Sequence, residues 1–257
     1  MPLDSSIDRV PTPASWLLTP PMVCTSQPPM ACSIAGEWKS RVMSAWYPNA
    51  GIDVVRGNKL TINGSGITLA NGKLNCTGST SGSDYADLGV FTSPANIRQF
   101  SSISIVTPRT LTNRASMYVI GGSATERGYM FGSGWTDGQY ITGWNPNSNK
   151  NTSQAIAGHF VSGVRGVYGV SSNHDTKAVR YYKNQAYVGG DSWDFSNDIW
   201  YTVGDSLLCP GGRYSGAGST VGWDGSIELQ VFFPVLLSDA ELISLTTNPW
   251  QLFSSVY

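Results

Sequence analysis

The sequence predicts an all-β fold: a two-sheet antiparallel sandwich with one short helix near the C-terminus and an extended arm at the N-terminus. Three observations carry the prediction. Apolar residues alternate with polar ones over short runs, as Ile227, Leu229, Val231 and Phe233 do against Glu228 and Gln230, which is the period of a strand with one buried face. Turn signals recur between those runs about every ten residues, the spacing of a sandwich. Only 13% of the residues are charged while 29 are Gly, a composition that suits short strands and tight turns rather than long helices.

The chain of 257 residues is long enough for one domain with a sizeable core, and residues 37–257 are assigned to it. Residues 1–36 form the arm. They hold Pro2, Pro11, Pro13, Pro20, Pro21, Pro28 and Pro29, show no periodicity, and carry only Asp4, Asp8 and Arg9 as charged side chains. Such backbone is extended and polyproline-II-like. A disordered tail sheds apolar side chains and gains charge, yet this one keeps Trp16, Leu17, Leu18, Met22 and Val23. The arm is therefore expected to dock these side chains on a surface. That surface is either its own sandwich or a neighbouring subunit, the second being compatible with a homo-oligomer. Polyproline II is already ordered, so little entropy is lost on docking.

The body begins with Arg41–Tyr47, which reads as a first strand, and Pro48 to Gly51 turns the chain. Asn58–Ile62 and Gly66–Leu69 read as a strand pair across Asn63-Gly64. Asn71-Gly72 signals a two-residue hairpin into a strand at Lys73–Cys76, because such a turn needs two consecutive positive φ angles. Tyr85–Val90, Ser102–Thr107, Ala115–Gly121, Gly128–Gly132 and Gln139–Trp144 come next, then a polar loop over Asn145–Ser153. Val164–Val170, Lys177–Asn184, Asp198–Val203 and Ser206–Cys209 read as further strands. Asp224-Gly225 reads as a turn ahead of the last strand, Ile227–Phe233, and Pro234 cannot donate to a ladder. Ser238 and Glu241 fit a capping box, Leu242 and Leu245 give an apolar stripe, and Asn248-Pro249 ends the helix.

The run Leu237-Ser238-Asp239-Ala240-Glu241-Leu242 through Leu245 resembles the C-terminal end of laminin-G-like, or concanavalin A-like, jelly-roll domains, where a last strand leads into one short helix. The tail Asn248-Pro249-Trp250-Gln251-Leu252-Phe253 resembles the ending common in laminin-G-like proteins of tailed bacteriophages. Arg41–Tyr47 is similar to the first strand of such domains. Tyr182-Lys183-Asn184-Gln185 is similar to their Tyr-Val-Asn-Gly strand end, but lacks the Gly that secures the tight turn. The close match spans Gly222–Phe253 and a looser one covers most of the chain after Ser40. The resemblance implies a two-sheet antiparallel jelly-roll sandwich.

Several chemistries are argued against. Jelly-roll glycoside hydrolases carry Glu-x-Asp-x-Glu or Glu-x-Asp-x-x-Glu on one strand, which sets two carboxylates on one face at catalytic separation. The only glutamates here are Glu37, Glu126, Glu228 and Glu241, and none sits in that pattern. No Gly-x-Ser-x-Gly elbow opens a helix. His159, His174, Cys24, Cys32, Cys76 and Cys209 show no zinc spacing; the cysteines read as free thiols, and nothing requires a Cys24–Cys32 bridge. A net charge of -1 without a Lys/Arg cluster argues against nucleic acid. Neither a signal peptide nor a membrane span of about 20 apolar residues is expected. Asp191, Asp194, Asn197 and Asp198 concentrate oxygen ligands of the kind calcium takes. They lack the alternation and Gly of a dedicated loop, and Asx turns account for them better. No enzyme activity and no cofactor are expected.

A sugar site needs an exposed aromatic face beside amides and carboxylates. Trp135, Trp144, Trp193 and Trp223 each stand by a short polar residue near a predicted turn. Tryptophan is mostly buried, and Trp223, just ahead of the last strand, is assigned to the core. The candidates for glycan contact are Trp144 and Trp193, with Trp135, Asn145 and Asp194. The resemblance and the arm together lead to the expectation of a non-enzymatic virion structural protein of a tailed phage, made in the host cytoplasm. It would be a head decoration or tail-associated accessory whose arm grips capsid or tail proteins. The alternative is a carbohydrate-binding module for host-surface glycans, ahead of a glycoside hydrolase.

Overall fold

The structure is a computed structural model that describes residues 32–48, 51–78, 84–92, 99–111, 115–121, 128–133, 139–144, 153–155, 158–173, 175–192, 205–210 and 221–255. In chain order its strands begin with β1 (Cys32–Ile34), β2 (Ser44–Trp46), β3 (Thr61–Asn63), β4 (Ile67–Ala70), β5 (Lys73–Thr77), β6 (Tyr85–Asp87), β7 (Val90–Thr92) and β8 (Gln99–Pro108). They continue with β9 (Ala115–Gly121), β10 (Gly128–Ser133), β11 (Gln139–Trp144), β12 (Ser153–Ala155), β13 (Gly166–Asn173), β14 (Ala178–Lys183), β15 (Ala186–Ser192) and β16 (Asp205–Pro210). The chain closes with β17 (Val221–Gly222), β18 (Asp224–Phe233), helix α1 (Asp239–Thr247), a 3-10 turn over Pro249–Leu252 and β19 (Phe253–Ser255).

Two sheets make the body. One runs β15-β14-β13-β8-β18-β5-β4 with β2 added on β18; the other runs β12-β11-β10-β9-β16-β7 with β17 added on β9. Among the described pairings only β17 with β9 is parallel. The fold is thus the all-β antiparallel sandwich that the sequence predicts. Two short ladders lie outside the sheets, β3 with β6 and β1 with β19. The second ties Cys32–Ile34, at the end of the Pro-rich segment, to the last strand of the chain. Among the described residues no helix is long and apolar enough to cross a membrane.

The larger sheet is covered on both faces, so its central strands are buried almost throughout, their serines included. One face carries Trp46, Phe100, Val106, Tyr168, Tyr181, Trp223 and Phe232. The other carries Ile103, Ile105, Val167, Tyr182, Leu229 and Val231, covered by Leu242 and Leu245 of α1 and by Trp250, Leu252 and Phe253 behind it. Burying each such side chain stabilises the fold by about 1.5–3 kcal/mol.

This corrects the sequence reading of the last strand, which put Ile227, Leu229, Val231 and Phe233 on one face. The register of β18 against β8 shifts between Ile227 and Leu229, so one extra residue, Glu228, enters the strand. A β-bulge of this kind changes the face that the residues after it present. Ile227 joins the first core while Leu229, Val231 and Phe233 join the second. Glu228 lies between two cations, with Lys73 Nζ 3.0 Å from one carboxylate oxygen and Arg165 Nε 2.9 Å from the other.

Three other local readings change. Asp224-Gly225 is not a turn but the start of β18; Gly225 has φ 146°, and a Cβ there would lie 2.2 Å from the Thr107 carbonyl oxygen. Glycine is needed for close backbone approach rather than for chain reversal. The strand at Thr61–Asn63 pairs with β6 and not with β4, because Gly64 alone adopts positive φ there, whereas Asn71 and Gly72 both do and lock β4 to β5. Tyr85–Val90 is broken at Gly89, φ 79°, into β6 and the start of β7, which belong to different sheets. The turn without its Gly is nonetheless tight: Lys183 pairs with Ala186, and Asn184 and Gln185 take φ of 42° and 79°.

Helix α1 agrees with the sequence reading. The Ser238 side chain accepts from the Glu241 backbone N–H and the Glu241 carboxylate accepts from the Ser238 N–H, so the capping box is complete. Arg41 also donates to Glu241, which ties the helix to the segment before β2. That bond, ahead of the Ser238 contacts, holds the Glu241 carboxyl down at about 2.

Candidate functional site

The N-terminal end of α1 stands over the far end of the β13–β14 hairpin, and a groove of about 380 Å³ lies between them. Its walls are Ser171 and Asn173 of β13, Thr176 in the turn, Ala178 and Arg180 of β14, and Leu236 to Asp239 leading into the helix. Strand period explains the arrangement. Ala178, Arg180 and Tyr182 fall on one face, and Tyr182 belongs to the helix-side core, so Arg180 faces the helix as well.

Arg180 Nη1 donates to both oxygens of Asp239, at 2.5 Å to Oδ1 and 2.8 Å to Oδ2. The Tyr182 hydroxyl donates to Oδ1 of the same carboxylate at 2.7 Å. The pair is open to solvent, with side-chain exposures of 51% for Arg180 and 56% for Asp239. The Tyr182 hydrogen bond, aided by Arg180, holds the Asp239 carboxyl below its ordinary value. The Asp239 hydrogen bond raises Arg180, and burial raises Tyr182. At neutral pH the groove therefore presents one guanidinium, one carboxylate and a protonated phenol.

Beside this pair lies Tyr187, 53% exposed and the one aromatic among the exposed large hydrophobic side chains of the described residues. It is opposite Tyr182 in the β14–β15 ladder, and the two rings meet edge-on with centroids 5.7 Å apart. Gly190 is opposite Arg180, and a Cβ there would lie 2.9 Å from the Tyr187 hydroxyl. The missing side chain lets the phenol lie along the strand toward Arg180. An aromatic ring, a guanidinium, a carboxylate, hydroxyls and an amide are thus gathered on one edge of the sheet.

The residues singled out from the sequence fall mostly outside the described residues. Trp144 is the last residue of β11, opposite Gly128, and its side chain lies outside the described residues. So do Trp135, Asn145, Trp193 and Asp194, the arm residues Trp16, Leu17, Leu18, Met22 and Val23, and Asn197 and Asp198 of the oxygen cluster, whose Asp191 is in β15. Trp223 is fully buried, as its assignment to the core requires. Among the described residues no three His, Cys, Asp or Glu side chains gather as metal ligands. Cys76 is a buried free thiol that burial pushes up to about 12. Sequence reasoning misses the groove itself. Arg180 and Asp239 are separated by 59 positions, so no local pattern pairs them. The Gly189-Gly190 step after Tyr187 is the available hint, since paired glycines in a strand mark a close approach.

No protein-family profile matches the chain, and no curated protein sequence matches it. Solved structures do match in fold. Domain 4 of an extracellular arabinanase from Geobacillus stearothermophilus, solved with arabinotriose, is similar over 80% of this chain and 98% of that domain, with a TM-score of 0.60 and 16% identity. The binding domain of Paraclostridial Mosquitocidal Protein 1 is similar over 81% of this chain and 52% of that one, at TM-score 0.52 and 12% identity. Trypanosoma rangeli sialidase, solved with a difluorosialic acid, is similar over 82% of this chain but 33% of its own, at TM-score 0.52 and 12% identity. At these identities the likeness is one of fold.

Proposed function

We propose that this chain is a carbohydrate-binding β-sandwich module and that the groove beside α1 is its sugar site. One observation carries the reading: at the rim of the groove an exposed ring, Tyr187, packs on Tyr182, whose hydroxyl donates to Asp239 of the exposed Arg180–Asp239 pair. A sugar ring offers C–H groups to an aromatic face and hydroxyls that both donate to a carboxylate and accept from a guanidinium. The shared fold with a domain solved in complex with arabinotriose supports the reading. A glycan array and then calorimetry test it. Binding is expected, and Tyr187→Ala and Arg180→Ala are each expected to weaken it by about tenfold, or ~1.4 kcal/mol, without a large change in melting temperature. An array without a hit rejects the module; binding that ignores both substitutions rejects the groove.

We read the chain as non-enzymatic, since Glu228 is held between Lys73 and Arg165 and Glu241 is engaged in the helix cap and with Arg41. Release of reducing sugar from any oligosaccharide that it binds would overturn this. A second reading, that residues 1–31 attach the module to a phage particle, rests on the resemblance of the sequence. The β1–β19 ladder fixes Cys32, the residue that follows this segment, on the body. Removing residues 1–31 is then expected to abolish attachment while the sandwich melts as before; a truncated chain that still attaches sinks this second reading.

A further inference from the structure

Resting on that reading of the groove, the geometry points to a ligand class: we propose that the site selects uncharged sugars, holding a pair of neighbouring hydroxyls against Arg180 and Asp239, and rejects acidic sugars. Among the described residues, the charged side chains lining the groove are Arg180 and Asp239, and they already neutralise each other. The hairpin turn behind it adds the exposed Asp175 and Lys177, which cancel, and the nearby Arg41–Glu241 pair is neutral as a unit. Among the described residues no cation in the groove is left over for a carboxylate ligand. To reach Arg180, an acidic sugar would have to displace Asp239 or sit beside it, and like charges in contact cost several kcal/mol.

A diol meets no such conflict. Asp239 Oδ1 takes bonds from Arg180 and Tyr182, whereas Oδ2 takes one from Arg180. A carboxylate oxygen has two lone-pair sites, so Oδ2 retains one for a sugar hydroxyl. Only Nη1 of the guanidinium is spent on the carboxylate, and the rest of the fork serves the oxygen of the adjacent hydroxyl. Asp239 thereby acts as both acceptor for the diol and electrostatic filter.

The test is an array of neutral oligosaccharides, arabinotriose among them, together with sialylated and uronic-acid glycans, probed with the wild-type chain and with Asp239→Asn. The wild type is expected to bind neutral glycans only, with an affinity that changes less than about twofold between low and high salt, since no net charge is neutralised on binding. Asp239→Asn keeps the shape but frees the Arg180 charge. It is expected to lose neutral ligands by about tenfold and to gain acidic ones, with salt now weakening the interaction. A wild type that binds acidic glycans as well as their neutral counterparts, or an affinity that falls steeply with salt, overturns the selection while leaving the groove as a sugar site. If neither protein binds any glycan, the module reading falls with it. The salt series needs no variant, so it decides even if Asp239→Asn fails to fold.

Discussion

Gly169 of β13 and Thr246 of α1 set how closely the helix lies on the sheet. A Cβ at Gly169 would stand 3.0 Å from the Thr246 methyl and 3.3 Å from both Ile103 and Tyr182. Ile103 and Tyr182 belong to the fully buried helix-side core, so none of the three has room to retreat. Gly169→Ala is therefore expected to destabilise the protein by about 1–3 kcal/mol through overpacking, a fall of roughly 2–4 °C in melting temperature per kcal/mol. Because the helix carries Asp239, sugar binding is expected to weaken too. An unchanged melt would mean that the helix sits less tightly than the distances imply.

Gln185 is expected to be a site where the native residue costs stability. It adopts φ 79° in a two-residue turn, a conformation that costs a side-chain-bearing residue about 1 kcal/mol or more and that such turns usually give to Gly. Gln185→Gly gives back part of that gain through the freer unfolded chain. The net expectation is about 0.5–1 kcal/mol of added stability in urea unfolding; a loss would show that the turn is not strained.

The bulge gives a prediction by deletion. Removing Glu228 leaves Ile227 and Leu229 adjacent, and adjacent strand residues point to opposite faces, which is where they lie already. The shortened chain is expected to fold with a loss of a few kcal/mol, from the ion pairs to Lys73 and Arg165. Removing Gln230 instead swaps the faces of every residue on one side of the gap and is expected to abolish folding. Circular dichroism and gel filtration of the two deletions separate the cases; equal damage from both would contradict the register.

His159 supplies an acid-sensitive element. It is 1% exposed, with its ring centroid 4.9 Å from Phe160 and 5.1 Å from Tyr168. Burial, and then the charge of Lys183, push it from 6.5 to about 3. The folded value is below the unfolded one, so the unfolded chain binds the extra proton between those limits. Stability is full above pH 6.5 and falls as pH drops toward 3, by up to ~1.4 kcal/mol per pH unit. Glu241, depressed from 4.5 to about 2, adds a loss of the same sign only below 4.5. Among the described groups, unfolding measured between pH 6.5 and 4.5 therefore isolates His159, and His159→Phe is expected to flatten its contribution there. A wild-type curve already flat in that window would contradict the assignment.

The all-β class, the capped helix and the Asn71-Gly72 hairpin were legible in the sequence because each is encoded locally, by period 2, by Ser238 with Glu241, and by two residues that tolerate positive φ. The double burial of β18 was not. Its alternation reads as one apolar face until a single inserted residue, Glu228, turns the rest of the strand over, and only the partner strand shows the shift. The groove was illegible for a related reason. Tyr187, Arg180 and Asp239 come from two strands and a helix brought together by the ladder and by the approach of α1 at Gly169. A tryptophan beside a turn is visible in the sequence; one tyrosine opposite another is not.

The most direct test monitors backbone and Arg side-chain resonances during titration with an oligosaccharide that the protein binds on the array, starting with arabinotriose. The largest shifts are predicted at Arg180, Tyr187, Asp239 and the neighbouring Ser171 and Asn173, and the Arg180 guanidinium signals should move with the same midpoint as the calorimetric curve. Shifts confined to the segments around Trp135, Trp144 or Trp193, with the groove silent, would contradict a sugar site at this ion pair.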